Sequence, residues 1–510
     1  MRVLEKDIVY LYGNGAMMHD RIARRAGSYA ELEQALRGGR RFAVGVTREN
    51  CFALGPIASY AAVMAGCRAN VPPLDPSPVT TLPKRFQMHL ETLGRALDKI
   101  GVGVELLDAE LPAILDHAAS LVPRMTEAEV LRLLGVVTRQ SLVGPHWFVF
   151  EVENRCNEDC IYCNIHAKGR RPGAEFLKGR LPFDVYKRQV DDLARMGTDG
   201  VTILANGEPT VHPNFIEMIE YAKAKGLRVN FFTNGLLLKP DIARRVVDAG
   251  CDEMFCTVSG ATADVFLKLH PKQKPAEYDL LMNNLRYLHE YRRERGSTFP
   301  RTLAVHVMTR ANAHELVPMA EQAAWLGFDS LRPQLIRVDE HNFPMALRPD
   351  DRERMMRDLP RCKEICAENG IELWPPFEAM VATAEETPDN WTPDEFLEDG
   401  CPIGWALGLA KANGDLSLCC VVKPLGNLSE GSIGELWHGE EYQRYRLAAL
   451  ELDQNKDLPM RDGRPLFTYR CLRCDNHDIN RRTFAALRDS GMIRFYRGAP
   501  AWPVAAAGGA

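Results

Sequence analysis

No stretch of this chain approaches the roughly 18–20 uncharged apolar residues that a membrane helix needs. Its first residues, Met1-Arg2-Val3-Leu4-Glu5-Lys6-Asp7, put charges where a secretory signal would put its apolar stretch. A basic excess is also missing. The 63 Lys and Arg against 68 Asp and Glu leave a net charge of −5, which argues against nucleic acid or a membrane as partner. Internal repeats and low-complexity core segments are absent as well. The expected compartment is the cytoplasm, where the 14 cysteines are poor candidates for a disulfide framework. Those that cluster read as metal ligands instead.

What is present is an ordinary soluble composition, 46% hydrophobic and 26% charged, over 510 residues. That length is too great for one core and implies two to four domains. Residues 1–140 read as a small α/β domain of unknown role, with strand-like runs at 7–11 and 42–46 and helical patterns at 57–65, 86–100 and 128–138. Residues 145–345 alternate β-branched or aromatic runs with helices, the pattern of parallel βαβ units. Six strands are predicted at 147–152, 201–205, 229–233, 253–258, 303–308 and 330–336. Six such units suggest an α/β partial (β/α)6 barrel of TIM-like type, with chemistry on the loops at the C-terminal strand ends. Residues 346–399 read as a bridge, 400–480 as a turn-rich cysteine domain and 481–510 as a C-terminal tail.

Cys156-Asn157-Glu158-Asp159-Cys160-Ile161-Tyr162-Cys163 follows the first predicted barrel strand. Three thiolates in one short loop can hold an iron–sulfur cube while leaving its fourth iron open. A zinc site with His166 as fourth ligand is the other use of these thiols. Farther on, Cys401 precedes Cys419 and Cys420, and Cys471-Leu472-Arg473-Cys474 comes much later. These supply ligands for a second cluster or a structural zinc. Cys401, Cys419, Cys471 and Cys474 are the preferred set, with Cys420 the alternative in second position.

The CxxxCxxC spacing, with an aromatic residue before its last cysteine, resembles the signature of the radical S-adenosylmethionine (radical SAM) superfamily. Asn206-Gly207-Glu208-Pro209 at the second strand end resembles that family's GGEP motif, with Asn206 in place of the first glycine. The 400–480 text is similar to the family's SPASM/twitch extension, and the absence of cysteine after Cys474 favours its one-cluster twitch form. The resemblance implies a SAM-binding [4Fe–4S] cluster on Cys156, Cys160 and Cys163, an auxiliary [4Fe–4S] cluster, S-adenosyl-L-methionine as cofactor, and a flavodoxin or ferredoxin as electron donor. It also implies cofactor contacts from Tyr162, Gly207, Glu208, Thr233, Asn234 and Ser259. Lys268, His270 or Lys272, or Arg310 after the fifth strand, would take the place of the arginine that commonly reaches the cofactor carboxylate.

Three further residues are candidates on their own chemistry. Cys256 on the fourth strand is placed in the barrel as a hydrogen or proton donor. Arg332 and Gln334 share one face of the sixth strand, where polar groups are costly unless they are paired or meet a ligand. Cys362 and Cys366, one helical turn apart, read as buried. Residues 1–140 lack the DxHxxG loop of a cobalamin domain, and their order of runs does not give the three strands then three helices of a leader-binding winged helix.

The leading expectation is an enzyme that cleaves S-adenosylmethionine and abstracts hydrogen from a polar small metabolite, ending in dehydrogenation. Maturation of a ribosomal peptide, by cross-linking or epimerisation, is the alternative. A non-catalytic iron–sulfur or zinc-stabilised binding protein is the third reading.

Overall fold

A computed structural model describes residues 9–11, 29–30, 32, 42–64, 72–170, 172–374, 377–378, 381, 397, 399–419, 424–460, 463–474 and 476–496. Among them no helix is long and apolar enough to cross a membrane.

The N-terminal part carries a parallel sheet of β1 (Val9–Leu11), β2 (Phe42–Val46) and β3 (Gly103–Leu106) in that order. Helices α1 (Leu54–Met64), α2 (Leu82–Asp98), α3 (Leu111–Leu121) and α4 (Glu127–Thr138) accompany it. The strands are separated by long stretches, unlike the consecutive strands of a winged helix. β3 and α3 escaped the sequence reading; all four β3 residues are only half-buried, so no strong pattern marks the strand. A reciprocal capping box between Thr126 and Glu129 starts α4, satisfying amide groups that the first helical turn leaves unpaired.

The barrel is β4 (Trp147–Glu151), β5 (Gly200–Leu204), β6 (Arg228–Thr233), β7 (Glu253–Thr257), β8 (Arg301–Met308) and β9 (Ser330–Leu335), all parallel and paired in sequence order. All six strands overlap the predicted ones. Helices α5 (Phe183–Arg195), α6 (Phe215–Ala224), α7 (Pro240–Asp248), α8 (Ala263–Leu269), α9 (Pro275–Glu294) and α10 (Leu316–Leu326) connect them. Alternation sorts the strand side chains. Phe148, Phe150, Val201, Ile203, Val229, Phe231, Met254, Ala304 and Leu331 join the helices in one core. The intervening residues line the inner face, where Phe232 and Phe255 stack with centroids 4.4 Å apart.

Next, α11 (Pro349–Glu368) leads to β10 (Glu372–Leu373), which adds to the free edge of β9. Cys362 and Cys366 lie buried in the barrel core. At the opposite edge β11 (Leu407–Ala410) pairs in parallel with β4, and β12 (Asp415–Ser417) and β13 (Gly426–Asn427) continue antiparallel. The cysteine domain therefore shares the barrel's sheet. Its helices α12 (Ile433–Trp437) and α13 (Glu440–Leu450) precede α14 (His477–Asp489).

The boundary placed at 480/481 falls inside α14, and the segment through Phe495 is folded. Leu487, Met492 and Phe495 bury themselves with the N-terminal helices in a second core, and His117 Nε2 donates to Ser490 O at 2.8 Å. Apolar burial of α14 makes these residues part of the structure instead of a tail.

Candidate active site

The loop after β4 carries Cys156, Cys160 and Cys163, all half-buried. It is stitched to the loop after β5 by two backbone bonds, Gly207 N to Glu153 O at 3.1 Å and Glu208 N to Arg155 O at 2.9 Å. Gly207 is required by proximity: a Cβ there would lie 1.9 Å from Arg155 O. Asn206 in the family's glycine position has its own use. Its Nδ2 donates to Glu151 Oε2 at 2.6 Å, satisfying a carboxylate whose pKa burial raises.

Glu208 is buried and knots three loops. Oε1 accepts from Thr210 N at 3.1 Å, Thr210 Oγ1 at 2.6 Å and Thr233 Oγ1 at 2.7 Å, and Oε2 accepts from Asn234 N at 2.8 Å. The carboxylate expected to bind a cofactor ammonium thus already serves the chain's own donors. Asn234 Nδ2 reaches back to Asn157 Oδ1 at 2.8 Å, tying the end of β6 to the cysteine loop.

Tyr162 is anchored on the far side. Its hydroxyl lies 2.9 Å from Ser259 Oγ and 3.2 Å from His270 Nε2. Ser259 is fully buried at φ +54, a left-handed conformation that costs a non-glycine residue about 1–2 kcal/mol. Bonds from Val307 N to its Oγ at 3.2 Å and from Asn312 Nδ2 to its carbonyl at 2.7 Å hold it there. His270 Nδ1 donates to Phe266 O at 2.8 Å, leaving Nε2 as an acceptor, and burial lowers the ring's pKa to about 4. Ligand atoms of Glu158, Cys160 and His270 lie within 4.8 Å of one another.

The donor chemistry fits a cationic centre. Burial, with Glu208, Glu158 and Cys163 nearby, raises the Cys156 thiol to about 12. Burial and the neighbouring Glu158 and thiols likewise lift Cys160 well above its ordinary value. Glu158, raised to about 8 by burial, stands in the same pocket. Iron would reverse this balance, because a coordinated thiol is held deprotonated. The amides of Ile165 and His166 already point at Cys163 Sγ, 3.4 and 3.2 Å away. His166, the fourth ligand of the zinc reading, donates from Nε2 to Asn206 O at 3.1 Å.

Three expected residues stand elsewhere. Cys256 faces the helices, because alternation puts Phe255 and Thr257 on the inner face; its Sγ packs at Gly235 beside Leu281 and Leu285. Lys268 is exposed on α8. Arg310 is also exposed, its guanidinium 3.3 Å from Pro344 O. Of the residues offered for that contact His270 is the buried one beside the loop, and burial favours its neutral ring. Arg332 and Gln334 do lie on the inner face, paired in register with Val305 and Val307.

In the C-terminal domain Cys401, Cys419 and Cys471 pack along the margin of the barrel core. Cys471 and Cys474 sit at the 3-10 turn Tyr469–Arg473. Cys401 Sγ accepts from Asn480 Nδ2 at 3.2 Å, a contact that no spacing rule signalled. Cys420 lies outside the described residues.

Residues 150–323 match the family model of the radical SAM superfamily, and residues 401–475 match that of SPASM, an iron–sulfur cluster-binding domain. The mycofactocin maturase MftC of Mycobacterium ulcerans is 36% identical over 125 residues, 24% of this chain and only 32% of that protein. The AdoMet-dependent heme synthase of Methanosarcina barkeri is 28% identical over 315 residues, 59% of this chain and 84% of the relative. The PqqA peptide cyclase of Rhodopseudomonas palustris is 25% identical over 317 residues, 59% of this chain and 76% of the relative. With two cysteine sets on a parallel barrel and on its sheet extension, and with both family models matched in that order, this chain carries a radical SAM domain at residues 150–323 and a C-terminal SPASM domain at residues 401–475.

Proposed function

We propose that this protein is a radical SAM enzyme that modifies a peptide at an unreactive C–H bond. The observation that carries the radical chemistry is the joining of the cysteine loop to the Gly207-Glu208 loop at the barrel mouth. The maturase and the peptide cyclase among its relatives support a peptide over the small-metabolite dehydrogenation that the sequence suggested first. The barrel and its flanking domains are the proposed place of substrate recognition.

When bound, a [4Fe–4S] cluster with S-adenosylmethionine supplies a 5′-deoxyadenosyl radical. Cys156, Cys160 and Cys163 would hold that cluster. Gly207 and Glu208 set the spacing between the cysteine loop and the ends of β5 and β6, which fixes where the cofactor lies relative to the lumen. Tyr162, Ser259 and His270 pin the opposite side of the loop. Cys401, Cys419, Cys471 and Cys474 are the proposed ligands of one auxiliary cluster, with a flavodoxin or ferredoxin as electron donor. Four protein thiolates leave no iron open to substrate, so this set suits electron transfer.

The test is anaerobic reconstitution with iron and sulfide, reduction by dithionite and assay for 5′-deoxyadenosine. Products of short reading frames beside the gene serve as peptide substrates, read by mass spectrometry. Alanine at Cys156, Cys160 and Cys163 should abolish cofactor cleavage; retained cleavage overturns the reading. Cleavage coupled to a small metabolite, with every peptide unchanged, would return the assignment to the first expectation. The heme synthase, matched over 84% of its length, gives that second reading its support.

A further inference from the structure

The barrel lumen contains a guanidinium that no side chain among the described residues neutralises. Arg332 stands on the inner-face row Thr257–Val305–Arg332. One pleat nearer the mouth are Val307 and Gln334, and Val307 N donates to Ser259 Oγ. Arg332 is therefore one row below the residues that grip the cysteine loop. Its guanidinium lies over the Trp374 ring, 4.1 Å from the centroid, and its Nε is buried with no hydrogen-bond partner among the described residues. Among the described residues the Arg332 side chain forms no ion pair, and neither it nor the Gln334 side chain has a hydrogen bond. Asp478, the carboxylate whose field reaches it, is salt-bridged to Arg482.

Arg332 is half-buried, and four buried arginines elsewhere are satisfied by the chain. Arg48 is paired with Asp108 and Glu110, Arg132 with Asp199, and Arg139 with Glu451. Arg446 donates to the carbonyls of Gly404 and Trp437. A charge drawn partly out of water without a partner is costly, and groups left unsatisfied in an otherwise consistent fold are where functional positions are expected.

We propose that Arg332, seated on Trp374, is the subsite for a carboxylate of the substrate, with Gln334 beside it on the side of the mouth. A planar guanidinium takes a carboxylate through two parallel hydrogen bonds, and its contact with the Trp374 ring holds it at this place in the lumen. The neighbouring wall of Phe255, Val305 and Val307 is apolar, so one anionic group meets one cation. The inference deepens the proposed function and rests on it, since the ligand is the molecule whose C–H bond is attacked. The carboxylate belongs to a peptide or to a small molecule.

The reconstituted protein is titrated calorimetrically, without cofactor turnover, against four probes. They are an N-acetyl dipeptide with a free C-terminal carboxylate, the same dipeptide as its amide, an aliphatic dicarboxylate, and inorganic phosphate. The peptide acid should bind about tenfold or more tightly than its amide. Arg332→Gln should erase that preference and Arg332→Lys should keep part of it, with iron content equal to the parent protein as the check on folding. If Arg332→Gln fails that check, Trp374→Leu replaces it and should weaken the preference. Binding of the dicarboxylate alone supports the subsite and assigns it to a small molecule. Equal binding of acid and amide, a preference for phosphate, no binding of any carboxylate at millimolar concentration, or an unchanged preference in Arg332→Gln overturns the proposal. Failure to form 5′-deoxyadenosine would sink the radical reading without touching this measurement, whereas lost carboxylate preference with cleavage intact sinks the subsite alone.

Discussion

Gly207→Ala probes the junction on which the site depends. Gly207 is not at positive φ, so the substitution costs contact and not torsion. The added Cβ would lie 1.9 Å from Arg155 O and 2.3 Å from Arg155 C, both backbone atoms. Real Cβ contacts essentially never fall below 3.0 Å, so the two loops must part by about 1 Å or rearrange. That movement stretches both bonds of the junction, now 3.1 and 2.9 Å, past useful length. Overpacking costs about 1–3 kcal/mol and each lost bond about 0.5–1.5 kcal/mol net, for a total of about 2–6 kcal/mol. Differential scanning fluorimetry should show apparent Tm falling by about 4 °C or more, and iron analysis after reconstitution should show about four of eight irons lost. Gly94→Ala is the control: it lies in α2 with nothing within 4 Å of its Cβ, so stability should rise by about 0.5–1 kcal/mol. A Gly207→Ala protein with parental Tm and full iron content would refute the close approach of these loops.

Glu208→Gln puts an amide where a carboxylate now accepts four bonds, so at least one donor faces another; a loss of about 1–3 kcal/mol should appear in urea denaturation of the apo-protein, and an unchanged midpoint would contradict the knot. Asn480→Ala removes the donor 3.2 Å from Cys401 Sγ. Hydrogen bonds to cluster sulfurs raise reduction potential, so potentiometric titration should find the auxiliary cluster shifted to more negative potential with its iron retained; an unmoved potential would separate Asn480 from that cluster. Asp329 gives a pH signature. Burial alone would raise its pKa, but bonds from Arg292 at 2.5 Å and from Thr302 N and Oγ1 at 2.7 and 2.8 Å outweigh it and hold the carboxyl below the usual range. A depressed pKa contributes stability that is present above the unfolded value of about 3.9 and lost as pH falls through the folded one. The Tm deficit of Asp329→Asn should therefore be largest near neutrality and shrink below about pH 4; a deficit independent of pH would assign it to packing.

Chemistry written as contiguous text was readable before any coordinates. Three cysteines within eight residues, a Gly-Glu-Pro after the next strand and a later cysteine pair depend only on order along the chain. The six barrel strands were equally legible, because strands buried under helices must be apolar in short runs. The sequence also marked Arg332 and Gln334 as sharing a face, since strand alternation follows from backbone geometry alone.

Tertiary structure decided what touches what. Alternation could not tell which face of β7 looks inward, and packing against α9 sends Cys256 outward. Lys268 and His270 are two residues apart, yet one is exposed and the other buried against Tyr162. Glu208's engagement with Thr233 and Asn234, Asn206's bond to Glu151, and β11 joining β4 are contacts between segments distant in sequence. Such contacts carry no local signal, because their energy comes from desolvation and geometry that exist only when the chain is folded. The chain's text offered the candidate ligands for a radical-generating cluster; folding determined which buried groups hold their loop and, among the described residues, left Arg332 as a lumen charge without a partner.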